Sequence, residues 1–446
     1  MRASVSDSAT TSFDNAGGGV TPRAQVILGW AIVALASVGL WLFLRGTWSV
    51  DLTAIYFAAH FIGQGDPDLV YLPGANIRVV DPPAAWAALA ASQGNPDGKL
   101  TPYLYPPLWA ALLAPVVERV SAQGFFDAVN ALNIAALAGT IWLSFRLIGS
   151  SRIGFGTWAA LSLALGVGSG FGFFGLWLGQ PQIIVSFVTL LAFVLLAGRR
   201  DLGAGAVLAL AAAMKLGPAL LVVIFVMERR WRALAAFVVV GGALAAASVL
   251  MAGWPMHQAF LAKLAALDDS VMISRTSAGL EMMLYQIGAV IDGTAYWSVP
   301  LPVLEPEPVW IGWVMRLVLI AGAVAIWGMT RTLRKRPRIW ARLFAMLLLA
   351  VVTNPLPWLH YLILPALMLP GLVVFLTPAR TVTVALAVAA VLSLPLFLWM
   401  ARVPALTFPQ AGLHLAVALG LLALVFWLSR RPGPANRPLH PERSRL

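Results

Sequence analysis

The chain has 446 residues, 60% of them hydrophobic and only 11% charged, with a mean hydropathy of +0.85. Soluble domains carry about a quarter charged residues, so this composition excludes a soluble globular protein and points to a polytopic helical membrane protein. The formal charge is +12, but Lys and Arg cluster at the ends of apolar runs, so the charge reads as an orientation signal and not as a nucleic-acid footprint. There is no Cys, hence no disulfide framework and no thiolate metal site. His60, His257, His360, His414 and His440 lack metal-ligand spacing, and no metal or cofactor is expected.

Residues 1–22 are rich in Ser, Thr and Gly and lack a signal-peptide pattern; they read as a disordered cytoplasmic tail. A membrane domain follows over 23–430, and 431–446 read as a basic cytoplasmic tail. The first apolar run, Ala24 to Leu44, is long enough to cross a bilayer, which takes about 20 helical residues. Residues 45–124 then form a first outer loop. Spans are expected at Phe125 to Leu147, Ile153 to Trp177, Gln182 to Ala197 and Ala233 to Gly253. A second outer loop covers 254–308. Further spans are expected at Trp310 to Thr330, Ile339 to Val352, Leu359 to Leu376, Val382 to Met400 and Ala411 to Ser429. Tyr105 to Val120 is apolar but is expected to lie along the outer surface without crossing.

Orientation follows from the basic clusters. Arg146 with Arg152, Arg199-Arg200, Arg229-Arg230, Arg331 to Arg342, Arg380 and the C-terminal arginines all belong on the cytoplasmic side. One conflict arises. Arg199-Arg200 and Arg229-Arg230 are separated by a single apolar run, and one crossing would put them on opposite sides. A hairpin of two half-helices, turned at Lys215-Leu216-Gly217-Pro218, removes the conflict, because Gly and Pro interrupt helices. Lys215 then sits at the tip, facing the outer side. The count is about twelve passes, with both termini cytoplasmic.

Both outer loops are long enough to be functional. The first carries Asp51, His60 and Tyr105-Pro106-Pro107; the second carries His257, Lys263, Asp268-Asp269, Arg275 and Glu281. A third outer feature, Asn354-Pro-Leu-Pro357-Trp358-Leu-His360-Tyr361, joins two spans where Pro prevents a continuous helix. Acids, a few cations, a His and aromatics therefore converge on one leaflet. Asp51 follows the first span directly. An ionised carboxylate beside a hydrophobic core is costly, so Asp51 suits a general base; it suits equally an N-cap opening a surface helix. Arg316, inside an apolar span, is expected to face the bundle interior, with no partner evident.

Several pieces occur in a fixed order. They are Asp51-x4-Tyr56-x-Ala58-Ala59, Tyr103-Leu-Tyr105-Pro106-Pro107-Leu108, Gly179-Gln180-Pro-Gln182, Met214-Lys215-Leu-Gly-Pro218, Arg229-Arg230-Trp231 and Asn354-Pro355-Leu-Pro357-Trp358-Leu-His360-Tyr361. Together they resemble glycosyltransferase family 87 of the GT-C superfamily. The resemblance implies an all-α GT-C-type bundle of about 11–13 transmembrane helices with outer juxtamembrane helices. It implies transfer of a sugar, mannose in the family pattern, from a polyprenyl-phosphate donor to a hydroxyl of a lipid- or glycan-linked acceptor. The transfer would invert the sugar carbon without a metal, at the extracytoplasmic face of a bacterial-type plasma membrane. The family's aspartate base falls on Asp51.

Such a reaction needs one base for the acceptor hydroxyl and positive charge for the leaving phosphate. Lys215 fits the phosphate contact, or snorkels to the interface. Arg275 and His360 are further candidates for phosphate or sugar contact; each also reads as an ordinary loop charge or an interface side chain. Tyr105 and Trp358 would shape the pocket. Asp268 or Asp269 could replace Asp51 as the base. The competing functions are a transporter or lipid flippase, and a polysaccharide polymerase or ligase. A transporter of this size would be expected to show two related halves, and the chain shows no convincing internal repeat.

Overall fold

The computed structural model describes residues 21–430 apart from 75, 80, 150, 151, 296 and 300. The tails expected at 1–22 and 431–446 lie outside the described residues, save for 21 and 22. The fold is helical apart from one short two-stranded ribbon. It opens with α1 (Pro22–Leu44), α2 (Val50–Gln64), α3 (Ala84–Ser92) and α4 (Pro107–Val117). Next come α5 (Ala122–Ile148), α6 (Phe155–Gly166), α7 (Gly170–Trp177), α8 (Gln182–Ala197) and α9 (Asp201–Met214). A 3-10 turn leads into α10 (Val223–Met227), followed by α11 (Trp231–Ala252), α12 (Trp254–Asp268) and α13 (Leu280–Ile291). Last are α14 (Val309–Thr330), α15 (Lys335–Val352), α16 (Ile363–Met368), α17 (Pro378–Val391), α18 (Leu394–Ala401) and α19 (Thr407–Ser429).

Five helical segments are long and apolar enough to cross a membrane: 23–44, 122–148, 231–252, 309–330 and 404–429. α7 and α8 pass the same test only together, and they are bent by 112° at the turn between them. The other expected spans are built from shorter pieces. Ile153 to Trp177 is interrupted between α6 and α7; Val382 to Met400 is divided between α17 and α18; Leu359 to Leu376 alternates 3-10 turns with α16. Sequence hydropathy sees the apolar runs and not the Gly, Ser and Pro breaks inside them. α1, α11 and α14 leave large apolar side chains bare, among them Leu35, Val239, Leu250, Val309 and Leu317, as a lipid-facing helix does. The centre is α15, whose Ile339 to Ala345 stretch is buried residue by residue.

The two ends of the bundle differ in chemistry. At one end the arginines gather. Glu228, after α10, is 4% exposed and accepts from Arg338 at 2.8 and 2.9 Å and from Arg342 at 2.8 Å. Arg342 also reaches Thr330 Oγ1 at 2.9 Å. Arg230 pairs with Asp201, and Arg336 donates to the carbonyl of Arg146. Both feet of the α9–α10 hairpin therefore stand at the arginine end, and Lys215 is at its opposite tip, the arrangement that the charge conflict required.

One expectation is corrected. Arg316 does not face the interior: its side chain is 57% exposed and lies 3.4 Å from Asp268, with its guanidinium over the Trp313 ring. It sits in the second turn of α14, near enough to the helix end to reach a loop acid. The second outer loop is also not purely helical. Ser270–Ile273 and Val303–Pro306 form an antiparallel ribbon with Ser270 opposite Pro306. Its inner strand, Ser-Val-Met-Ile, is buried on both faces, so it lacks the alternation that marks a strand in sequence.

Candidate functional site

The site lies at the end opposite the arginines, where five segments of the chain meet. Asp51 occupies the first turn of α2, where the helix dipole favours a negative charge. The turn between α7 and α8 holds it at two points. Its backbone N–H donates to the carbonyl of Leu178 at 3.0 Å, and one carboxylate oxygen accepts from Gln180 Nε2. The other oxygen accepts from Thr101 Oγ1 at 3.3 Å. Gly179 makes the turn possible. Its φ is +74°, and an added Cβ would come within 2.8 Å of Ser49 and 2.9 Å of Leu52, so α2 packs directly on the turn.

Burial raises the Asp51 pKa from 3.8 to about 6, against the lowering effect of the Gln180 and Thr101 hydrogen bonds and of the Lys215 charge. The carboxyl is thus largely surrounded by protein, while Asp51 keeps part of its surface accessible. A pKa near the working pH is what general-base catalysis favours.

Lys215 caps α9. The last turn of that helix is fixed to α4 by Trp109, whose Nε1 donates to the Ala213 carbonyl at 2.7 Å. The Lys215 ammonium lies 4.4 Å from the centre of the Tyr361 ring and 5.8 Å from that of Tyr105. Among the described residues it forms no salt bridge. Aromatic faces hold a cation without using its N–H donors on a carboxylate, so the ammonium stays available to an incoming anion.

His360 and Trp358 complete the wall. Their rings stack 6.2 Å apart at 13°, and His360 meets Tyr361 edge-on at 4.8 Å. The Pro-rich bend before them is held by the second loop. Ala278 N donates to the Pro357 carbonyl, Leu359 N to that of Thr276, and Ser277 bridges Trp358. His360 Nε2 is buried with no hydrogen-bond partner among the described residues. Tyr105 is fixed from behind by the Tyr71 hydroxyl, which donates to its carbonyl at 2.6 Å.

Asp51, Lys215, Tyr105, Trp358 and His360, named from sequence, are thus brought to one end of the bundle. Arg275 is engaged elsewhere: its guanidinium donates to the Ala401 carbonyl at 2.8 Å and to Thr407 Oγ1 at 3.3 Å, tying the second loop to the α18–α19 connection. Asp268 and Asp269 are exposed, and Asp268 faces Arg316. Glu281 is a buried acid whose carboxyl is pushed up to about 9 by burial, then by Glu307 and Asp268; it is neutral at pH 7 and cannot serve as a base there. Three contributors escaped the sequence reading: Thr101, Gln180 and Tyr361. Gln180 lay inside the Gly179-Gln180-Pro-Gln182 piece, but nothing in sequence tells which of its polar groups meets Asp51.

A profile of glycosyltransferase family 87 matches residues 103–356, more than half of the chain. The chain belongs to glycosyltransferase family 87. No curated protein matches it. As a family 87 member it is a membrane glycosyltransferase, acting on a sugar donor and an acceptor. The matched stretch contains Tyr105, Gln180 and Lys215; Asp51, Trp358, His360 and Tyr361 lie outside it and join the site through the fold.

Proposed function

We propose that this family 87 enzyme transfers a sugar, mannose by family pattern, from a polyprenyl-phosphate donor to a hydroxyl of a lipid- or glycan-linked acceptor, with inversion. The observation that carries the reading is the pairing of functions at one end of the bundle: a partly accessible carboxylate with a raised pKa, and within reach of its charge a cation held by aromatic rings instead of an acid. Asp51 takes the proton of the acceptor hydroxyl. The freed oxygen bonds to the sugar carbon as that carbon's bond to the phosphate oxygen breaks. The electron pair leaves on the phosphate, where the Lys215 ammonium meets the developing charge. Fixed positive charge at such a point contributes about 3–4 kcal/mol to comparable transition states. His360, Trp358 and Tyr105 bound the sugar.

A phosphate leaves as an anion, so a single base is enough, whereas glycoside hydrolysis uses two carboxyl groups. The gathering of arginines at the far end supports, by the positive-inside rule, a site on the extracytoplasmic face of a bacterial-type plasma membrane. A transporter or flippase would carry its polar groups near mid-depth, and here they collect at one end. The test is to supply radiolabelled polyprenyl-phosphate mannose to membranes with and without the protein. New glycosidic product is expected only with the protein. Uptake of label with no new bond would favour transport.

A further inference from the structure

We infer that Gln180 is a positioning residue for the Asp51 carboxylate, and that the sharp turn between α7 and α8 presents it. The inference rests on the reading of Asp51 as the base. Three observations carry it. First, the turn grips Asp51 twice, through the Leu178 carbonyl on its backbone and the Gln180 amide on its side chain. Two attachments fix both the place and the rotation of the carboxylate, so one oxygen is committed to Gln180 and the other is left at the Thr101 side.

Second, Gln180 is poorly suited to a purely structural role. It is 7% exposed, and its Oε1 is buried with no hydrogen-bond partner among the described residues. A buried unpaired carbonyl is a cost to folding that a leucine of similar volume would not carry. Among the described residues the one hydrogen bond of its side-chain amide is to Asp51. Third, the amide donates to one side of a carboxylate that would otherwise be drawn to a cation. Lys215 is the cation whose charge reaches Asp51, and the Asp51 charge in turn acts on the Tyr105 phenol; His360 and Tyr361 lie within reach of Lys215. Two uncharged donors, Gln180 and Thr101, thus occupy the carboxylate in place of an ion pair, keeping base and cation separate. A direct salt bridge would neutralise both.

The test uses the full chain in lipid nanodiscs. It has two readouts, the pH profile of transfer from polyprenyl-phosphate mannose and the pH dependence of carbodiimide labelling of Asp51, read by peptide mass spectrometry. Gln180→Leu removes the donor that favours the ionised form, so the midpoint of both curves is expected to rise by about one pH unit. The kcat is expected to fall at least about tenfold while KM for the donor stays within about twofold, the mark of a group acting in the transition state. Gln180→Glu puts a second carboxyl beside the first, and its midpoint is expected to rise further. Gln180→Met, which keeps the chain length, replaces the leucine variant should that one not fold.

Labelling midpoints that coincide with wild type in folded variants overturn the inference. A wild-type protein that transfers nothing, combined with shifted labelling midpoints, sinks the proposed reaction and leaves the positioning intact.

Discussion

Asp51→Asn separates the base from everything else that the site does. The substitution keeps the side-chain shape. The new amide can accept from Gln180 through its oxygen, and its nitrogen can donate to Thr101 Oγ1, whose hydroxyl rotates to accept. Both contacts of the carboxylate therefore have a replacement. The rate should fall by the contribution of a general base, about 10²–10⁴-fold in kcat. Stability should move the other way. The folded protein holds the Asp51 proton more tightly than the unfolded chain, with a pKa of about 6 against 3.8. Ionisation therefore costs the folded state stability as pH rises across that window. At about 1.4 kcal/mol per unit the cost is at most about 3 kcal/mol above pH 6. The neutral amide removes that cost and also the attraction to Lys215, so the variant should be at least as stable as wild type at pH 7.5. At pH 4 the two should be alike. The assay is transfer from radiolabelled polyprenyl-phosphate mannose, with thermal unfolding in parallel at both pH values. A folded variant that retains kcat within tenfold of wild type would refute the base assignment.

Other outcomes follow from the same geometry. Lys215→Ala should raise KM for the donor and lower kcat while leaving KM for the acceptor within about twofold; an unchanged donor dependence would remove the ammonium from the phosphate. Because the base must be ionised and the ammonium protonated, wild-type kcat/KM should climb with pH to a midpoint near 6, as the Asp51 pKa dictates, and fall again above about 7, where burial brings the Lys215 ammonium to lose its proton; an acidic limb centred near pH 4, or no fall at high pH, would contradict this. Glu228→Gln leaves Arg342, 2% exposed, without its charged partner. The loss should be about 3–5 kcal/mol of stability, measured by thermal or denaturant unfolding, and a loss below about 1 kcal/mol would show that the arginines find another partner. Gly179→Ala forces a Cβ into Ser49 and Leu52 at a φ of +74°; transfer should drop more than tenfold, since a misplacement of about 1 Å costs on the order of 10² in rate.

Charge carried more structural information in this sequence than hydropathy did. The placement of Arg199-Arg200 and Arg229-Arg230 demanded a hairpin, and the hairpin in turn put Lys215 at the Asp51 end. Hydropathy alone marked spans as continuous where short Gly, Ser and Pro breaks divide them, as between α6 and α7. Arg316 was misread for a related reason: a charge inside an apolar run appears buried until the helix end and its neighbours are located. Arg275 illustrates the converse, since a loop arginine near the right motifs turned out to bind the α18–α19 connection. Gln180 and Thr101 were illegible because hydrogen bonds between residues far apart in the chain leave no periodic or compositional trace. His360 and Trp358 were legible as candidates only through their Pro-rich setting.

The site draws on segments scattered from α2 to the turn just before α16, and that has a consequence for biogenesis. During synthesis the carboxylate reaches the bilayer early, whereas the aromatic wall around the ammonium arrives only after α15 has been inserted. A chain halted before α15 holds the acid and the cation but lacks the His360 and Tyr361 side of the wall that seats the ammonium. Half-made copies should therefore leave the activated sugar lipid untouched, and activity should switch on once, late, when the last Pro-rich bend seats against the 276–278 segment.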